Sequence, residues 1–243
     1  MRNDIQGVRH LKTATWRITY SLVLAISSIG LFVGFSMVLL GTYSSFSEGD
    51  PSLMGDPDQP LLSRVFDYFS YFTIWSNIVV AVVAGIFVFR PRMSSFWFRA
   101  LWFSSLLMIS VTGLIYNIAL ADLVQAEGAA AVSNLCNHVL TPLAFVLAWL
   151  LVGPRGWISL RVIAAGLVVP FCWIFLTLVR GAFVDAYAYP FVNVTKLGYA
   201  EVLTNLSVIV VACCVLSLVL WGIDKLICKL VGTQNESNQG AVE

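Results

Sequence analysis

The chain has 243 residues, 59% of them hydrophobic and 11% charged, with a formal net charge of +1 and a mean hydropathy of +0.86. Water-soluble domains carry about 25% charged residues, so this composition predicts an integral membrane protein, and the near-zero charge argues against a nucleic-acid partner. Five cysteines without a CxxC spacing do not read as a disulfide framework, and two histidines, His10 and His138, are too few for a multi-histidine metal centre or bis-histidine haem, so neither metal nor cofactor is expected.

Six apolar runs reach the roughly 20 residues that a span requires: about 16–40, 65–89, 98–121, 132–152, 162–179 and 200–223. The first follows a basic tail and is far longer than the roughly 7–15 apolar residues of a secretory signal, so it reads as a retained span. Its Gly30 and Gly34 form a GxxxG pair, suited to close helix contact inside a bundle or between two copies. Basic residues gather in the N-terminal tail (Arg2, Arg9, Lys12, Arg17), after span two (Arg90, Arg92, Arg99), after span four (Arg155, Arg161) and near the C-terminus (Lys225, Lys229). The other three loops are richer in acid. By the positive-inside rule both termini are cytoplasmic, which an even span number satisfies. The expected fold is an all-α polytopic bundle of six transmembrane helices, a single domain in the plasma or cytoplasmic membrane. Residues 41–64, rich in Gly, Ser, Pro and Asp, read as a solvated outer loop. The polar tail from Gly232 reads as disordered.

Span two contains Asp67, Ser70, Thr73 and Asn77, the last three on one helix face. Span three carries Thr112, Tyr116 and Asn117, which can line the same cavity or merely pack. Span four holds Asn134, Asn137, His138, Thr141 and Pro142. Asn134, His138 and Thr141 share a stripe at i, i+4 and i+7. Pro142 has no N–H for the carbonyl of His138, four residues back, so that carbonyl must meet protein or water. Arg180, at the outer end of span five, reads as snorkelling outward or as a binder of an anionic headgroup or carboxylate. Phe183, Tyr187, Tyr189 and Phe191 suit an interfacial belt, and Asn193-Val194-Thr195 matches a glycosylation sequon. Glu201, Thr204 and Asn205 read as a cap on span six.

Spans two and four both enter from outside. With midpoints near residues 77 and 142, Thr73 and His138 each lie about four residues outward, roughly 6 Å above mid-membrane at 1.5 Å per residue. A hydroxyl and an imidazole at one depth suggest a nucleophile and its base. Low dielectric favours the neutral imidazole, which is the competent form. Asn77, Asn134 or Asn137 can orient the ring or hydrogen-bond an oxyanion, and Asp67 can be a third group. The plainer reading is structural: Thr73 bonds the carbonyl of Phe69 in its own helix, and Asn, Ser and His side chains tie helices together.

Tyr71-Phe72-Thr73-Ile74-Trp75-Ser76-Asn77, Asn137-His138-Val139-Leu140-Thr141-Pro142 and Tyr189-Pro190-Phe191 resemble the Pr6Pr family of six-span membrane proteins. The resemblance covers about residues 16–223, in the expected order. That family is similar to the androgen-induced protein family of animals. The resemblance implies an intramembrane hydrolase of fatty acid esters of hydroxy fatty acids, with Thr73 and His138 in the catalytic positions and a lipid or fatty acyl ester as partner. Two rivals stand beside it: a transporter or small channel, which needs a continuous polar path, and a structural bundle, in which Thr73 and His138 lie apart.

Overall fold

The computed structural model describes residues 2–42, 59–123 and 126–240, with side chains over 14–42, 59–122 and 126–231. Among the described residues there is no β-strand. Among these described residues, six helices are long and apolar enough to cross a membrane: Ala14–Leu40, Phe72–Phe89, Phe96–Leu120, Gly128–Val152, Leu160–Val184 and Val194–Val231. The protein is an all-α, multi-pass membrane bundle.

α1 (Arg2–Leu40) is followed by a short α2 (Leu61–Tyr68) and by α3 (Phe72–Phe89). Most of the expected loop between α1 and α2, residues 43–58, lies outside the described residues. The second span begins later than the sequence predicts, at Phe72 rather than near residue 65, because the chain turns extended at Tyr71 (φ −78°, ψ 132°). Breaking a helix in apolar surroundings leaves backbone acceptors to satisfy. Two tryptophans do so: the Trp75 indole donates to the Phe69 carbonyl at 2.7 Å, and the Trp173 indole to the Ser70 carbonyl at 2.9 Å. The break makes Thr73 the second residue of α3.

α4 (Phe96–Ile115) runs on into a π-turn, Tyr116–Leu120. α5 (Gly128–Leu135) passes through a second π-turn, Cys136–Leu140, into α6 (Thr141–Val152). In each, an N–H reaches back five residues, Ala121 to the Tyr116 carbonyl and Thr141 to that of Cys136. The second has a visible cause. Pro142 cannot serve the His138 carbonyl, so the ladder widens just before it.

α7 (Leu160–Gly166), α8 (Val168–Val184) and α9 (Val194–Gly240) complete the chain. α9 kinks at Gly198, whose φ of 76° suits glycine. The tail from Gly232, read from the sequence as disordered, continues α9 to Gly240.

α4 is the central helix, with 61% of its span buried against 17% for α9. α1 packs on α3, α5 and α6, and α4 on α3, α6 and α7. The GxxxG pair of α1 is used inside the bundle. A Cβ on Gly30 would lie 2.8 Å from Cys136 Cβ, and one on Gly34 2.7 Å from Ser133 Oγ. Two apolar cores result. One holds Phe87, Trp102, Phe103, Phe145 and Trp149, each 1% exposed or less. The other is rich in hydroxyls, with Tyr68, Tyr71, Tyr116 and Tyr189 beside the Trp173 indole. Away from the second core, the buried Asp224 carboxylate accepts from the amides of Gly156 and Ile158 at 3.1 and 3.4 Å, tying the α6–α7 turn to α9.

Candidate active site

Thr73 and His138 meet. Thr73 Oγ1 lies 3.1 Å from His138 Nε2. His138 Nδ1 is 3.2 Å from the Asn134 carbonyl oxygen. A carbonyl only accepts, so in the neutral ring Nδ1 carries the proton and Nε2 offers its lone pair to the threonine hydroxyl. The geometry is that of a nucleophile hydrogen-bonded to a base whose far side is oriented by a third group. Here the third group is a backbone carbonyl, one helical turn before the histidine. The self-bonded alternative, Thr73 to Phe69, is not what forms. Thr73 lies in the first turn of α3, and the Phe69 carbonyl precedes the break and is taken by Trp75.

The imidazole is fixed from its face as well. Tyr116, brought round by the first π-turn, stacks on it with centroids 4.1 Å apart and planes 21° apart. The Tyr116 hydroxyl accepts from Asn134 Nδ2 at 2.5 Å. Asn134 therefore holds the histidine twice, through its carbonyl and through the stacked tyrosine.

The other expected polar residues are placed as follows. Asn77 Nδ2 donates to the Thr73 carbonyl at 2.9 Å and to the Asn137 carbonyl at 3.1 Å, clamping α3 to the second π-turn beneath the pair. Asn137 turns toward α1, donating to Ser133 Oγ at 3.2 Å. Thr141 is fully buried and does not line the cleft, because the widened turn takes it off the His138 stripe. Asn117 is exposed, its amide donating to the Gly113 carbonyl of its own helix at 2.7 Å. Arg180 neither reaches the pair nor faces outward alone; it forms an ion pair with the buried Asp67. Burial pushes the Asp67 carboxyl above its usual range, against the lowering pull of that guanidinium.

Tyr189 is the site residue that sequence reasoning missed. Expected as an interfacial anchor, it is 7% exposed, as Tyr187 is 3%. Its hydroxyl lies 3.3 Å from Thr73 Oγ1 and accepts from the Thr73 amide at 3.3 Å. Tyr189-Pro190-Phe191 opens a short 3-10 turn, Pro190–Val192, held to α9 by Asn205 Nδ2 donating to the Phe191 carbonyl at 3.0 Å. Asn193 of the sequon is likewise turned in, 4% exposed, its side chain capping the Lys196 amide at 3.1 Å. The available signal was an isolated Tyr-Pro-Phe between two spans, with no periodicity to say which way it folds.

These groups form the polar end of an apolar cleft between α3, α4, α8 and α9. Phe72, Ile115, Pro170, Trp173, Phe191 and Ile209 are among the residues that wall it. α8 and α9 do not pack closely on each other. Phe171, on the α8 side of the cleft, is 47% exposed. The arrangement can deprotonate a hydroxyl next to a long apolar chain. Comparison of the chain with family models, with curated proteins and with solved structures finds no match.

Proposed function

We propose that this protein is an intramembrane threonine hydrolase that cleaves lipid esters, such as fatty acid esters of hydroxy fatty acids. The observation that carries the reading is the 3.1 Å contact of Thr73 Oγ1 with His138 Nε2 at the end of an apolar cleft. The resemblance to the Pr6Pr and androgen-induced protein families supports the same pair and the same substrate class. The acyl chain enters sideways from the bilayer between α8 and α9. The Thr73 oxygen bonds the carbonyl carbon as its proton passes to His138 Nε2. The bond to the leaving alkoxide then breaks, and that proton goes to it. Water, deprotonated by the same nitrogen, hydrolyses the acyl-threonine. With both termini cytoplasmic, the site lies in the external half of the plasma or cytoplasmic membrane.

One feature weighs against transport: the core away from the pair is filled by Trp102, Phe103, Phe145 and Trp149, each 1% exposed or less. A structural role leaves the oriented histidine unexplained. The test is hydrolysis of an esterified hydroxy fatty acid by the purified protein. Activity lost in Thr73→Ala and in His138→Ala, together with Thr73-dependent labelling by a fluorophosphonate, supports the reading. Activity retained in either variant removes it.

A further inference from the structure

Three hydroxyls besides that of Thr73 reach the cleft. Thr112 is bonded to Ser76 at 2.9 Å, and Tyr116 to Asn134. Only Tyr189 meets the nucleophile. We propose that Tyr189 is the oxyanion donor of this site, its phenol O–H hydrogen-bonding the scissile carbonyl oxygen as that oxygen becomes negative. The proposal rests on the hydrolase reading and adds to it a residue with a distinct role.

The argument is one of donors. The Thr73 hydroxyl has a single proton, and it is directed at His138 Nε2. The contact between Thr73 Oγ1 and the Tyr189 hydroxyl must then be donated by the phenol. The phenol oxygen in turn accepts from the Thr73 amide. That amide sits in the first turn of α3, where an N–H has no partner inside the helix. Two donors, a phenol and an amide that has no partner within its own helix, thus converge beside the attacking oxygen at the positive end of α3.

Attack relocates the charge. The Oγ1–carbon bond forms, the hydroxyl proton goes to His138, and the carbonyl π pair moves onto the carbonyl oxygen. Oγ1 becomes an uncharged alkoxy oxygen of the tetrahedral adduct, a weaker acceptor than the new oxyanion beside it, and the phenol turns to that oxyanion. No proton leaves Tyr189 and no further reactant is needed. The amide, released by the phenol, supplies a second hydrogen bond. The phenol is preorganised for this. Its ring stands edge-on to Tyr71 (centroids 5.5 Å apart) and to Trp173 (6.0 Å), and stacks on Phe191 (5.3 Å). Donors fixed where charge develops, away from water, favour the transition state over the ground state.

The experiment uses the full chain in phosphatidylcholine nanodiscs with p-nitrophenyl decanoate as substrate. Thr73→Ala, His138→Ala and Tyr189→Phe are compared with the wild type. Tyr189→Phe keeps the ring contacts and removes one donor. We expect kcat to fall by about 10²-fold or more with KM little changed. A decyl trifluoromethyl ketone, which captures Thr73 as an oxyanion adduct, should lose affinity by a similar factor, while an unreactive decyl ether binds as before. If Thr73→Ala and His138→Ala abolish turnover but Tyr189→Phe stays near the wild-type kcat, the Tyr189 role is overturned and the hydrolase reading stands. A loss confined to KM overturns it as well. If turnover never depended on Thr73, both fall together. Should Tyr189→Phe fail to fold, 3,5-difluorotyrosine at position 189 retains ring and hydroxyl and strengthens the donor. A changed kcat then supports the proposal, and an unchanged one overturns it.

Discussion

The ion pair between Arg180 and Asp67 gives the sharpest test of how the site is held. It joins α8 to the end of α2, two residues before the Phe69–Tyr71 break that starts α3 and sets Thr73 near its N-terminus. Asp67 is 3% exposed, so Arg180→Met leaves a carboxylate stranded in apolar surroundings. Breaking a fully buried pair from one side costs about 3–5 kcal/mol. The Arg180 side chain is 26% exposed, so water relieves part of this and a smaller loss, about 2–3 kcal/mol, is expected. The double variant Asp67→Asn, Arg180→Met removes the stranded charge and should recover at least about 1 kcal/mol of that loss. The assay is reversible unfolding of the four proteins in mixed micelles, run as a double-mutant cycle, with kcat and KM measured alongside. Arg180→Met should lose both stability and kcat, because the Phe69–Tyr71 break loosens with α2. Two results would refute this: a coupling energy of zero within error, or an Arg180→Met protein of full stability with a raised KM. The second would make the guanidinium a substrate ligand.

His138→Gln keeps a polar side chain beside Thr73 but no base, and should lower kcat by about 10²–10⁴-fold with the melting temperature unchanged. Pro142→Ala restores an N–H for the His138 carbonyl, so the π-turn gains an α-helical competitor that rotates the imidazole off Thr73. Turnover should fall by about tenfold or more with stability equal or higher; unchanged turnover would mean that packing, not the proline, sets the turn. Gly30→Leu drives a side chain into Cys136 and Asn137 and should cost about 1–3 kcal/mol in thermal unfolding, whereas Gly85→Ala, with open space around its Cβ position, should cost less. Asn77→Leu removes the clamp between Thr73 and Asn137 while leaving both catalytic side chains, and should reduce kcat more than KM.

Membrane class and span number were legible in the chain, because each follows from local composition and one-dimensional counting. Apolar length gives the spans, but the midpoints near residues 77 and 142 shift once the second span begins at Phe72 and the fourth at Gly128, so the contact of Thr73 with His138 rests on packing rather than on counting. Pro142 even announced where the fourth span would depart from regular winding, since a missing N–H is a property of one residue. What counting could not supply was which groups turn inward. Asn134, His138 and Thr141 share a stripe only on a regular helix; the π-turn at Cys136–Leu140 keeps His138 on the cleft and removes Thr141. Arg180 found Asp67, a partner 113 residues away. Tyr189 sits in a non-periodic link, and only the docking of that link under α9 through Asn205 decides that its hydroxyl meets the nucleophile. Hydropathy is additive along a chain, whereas convergence of side chains from separate helices depends on their relative rotation, which packing alone sets.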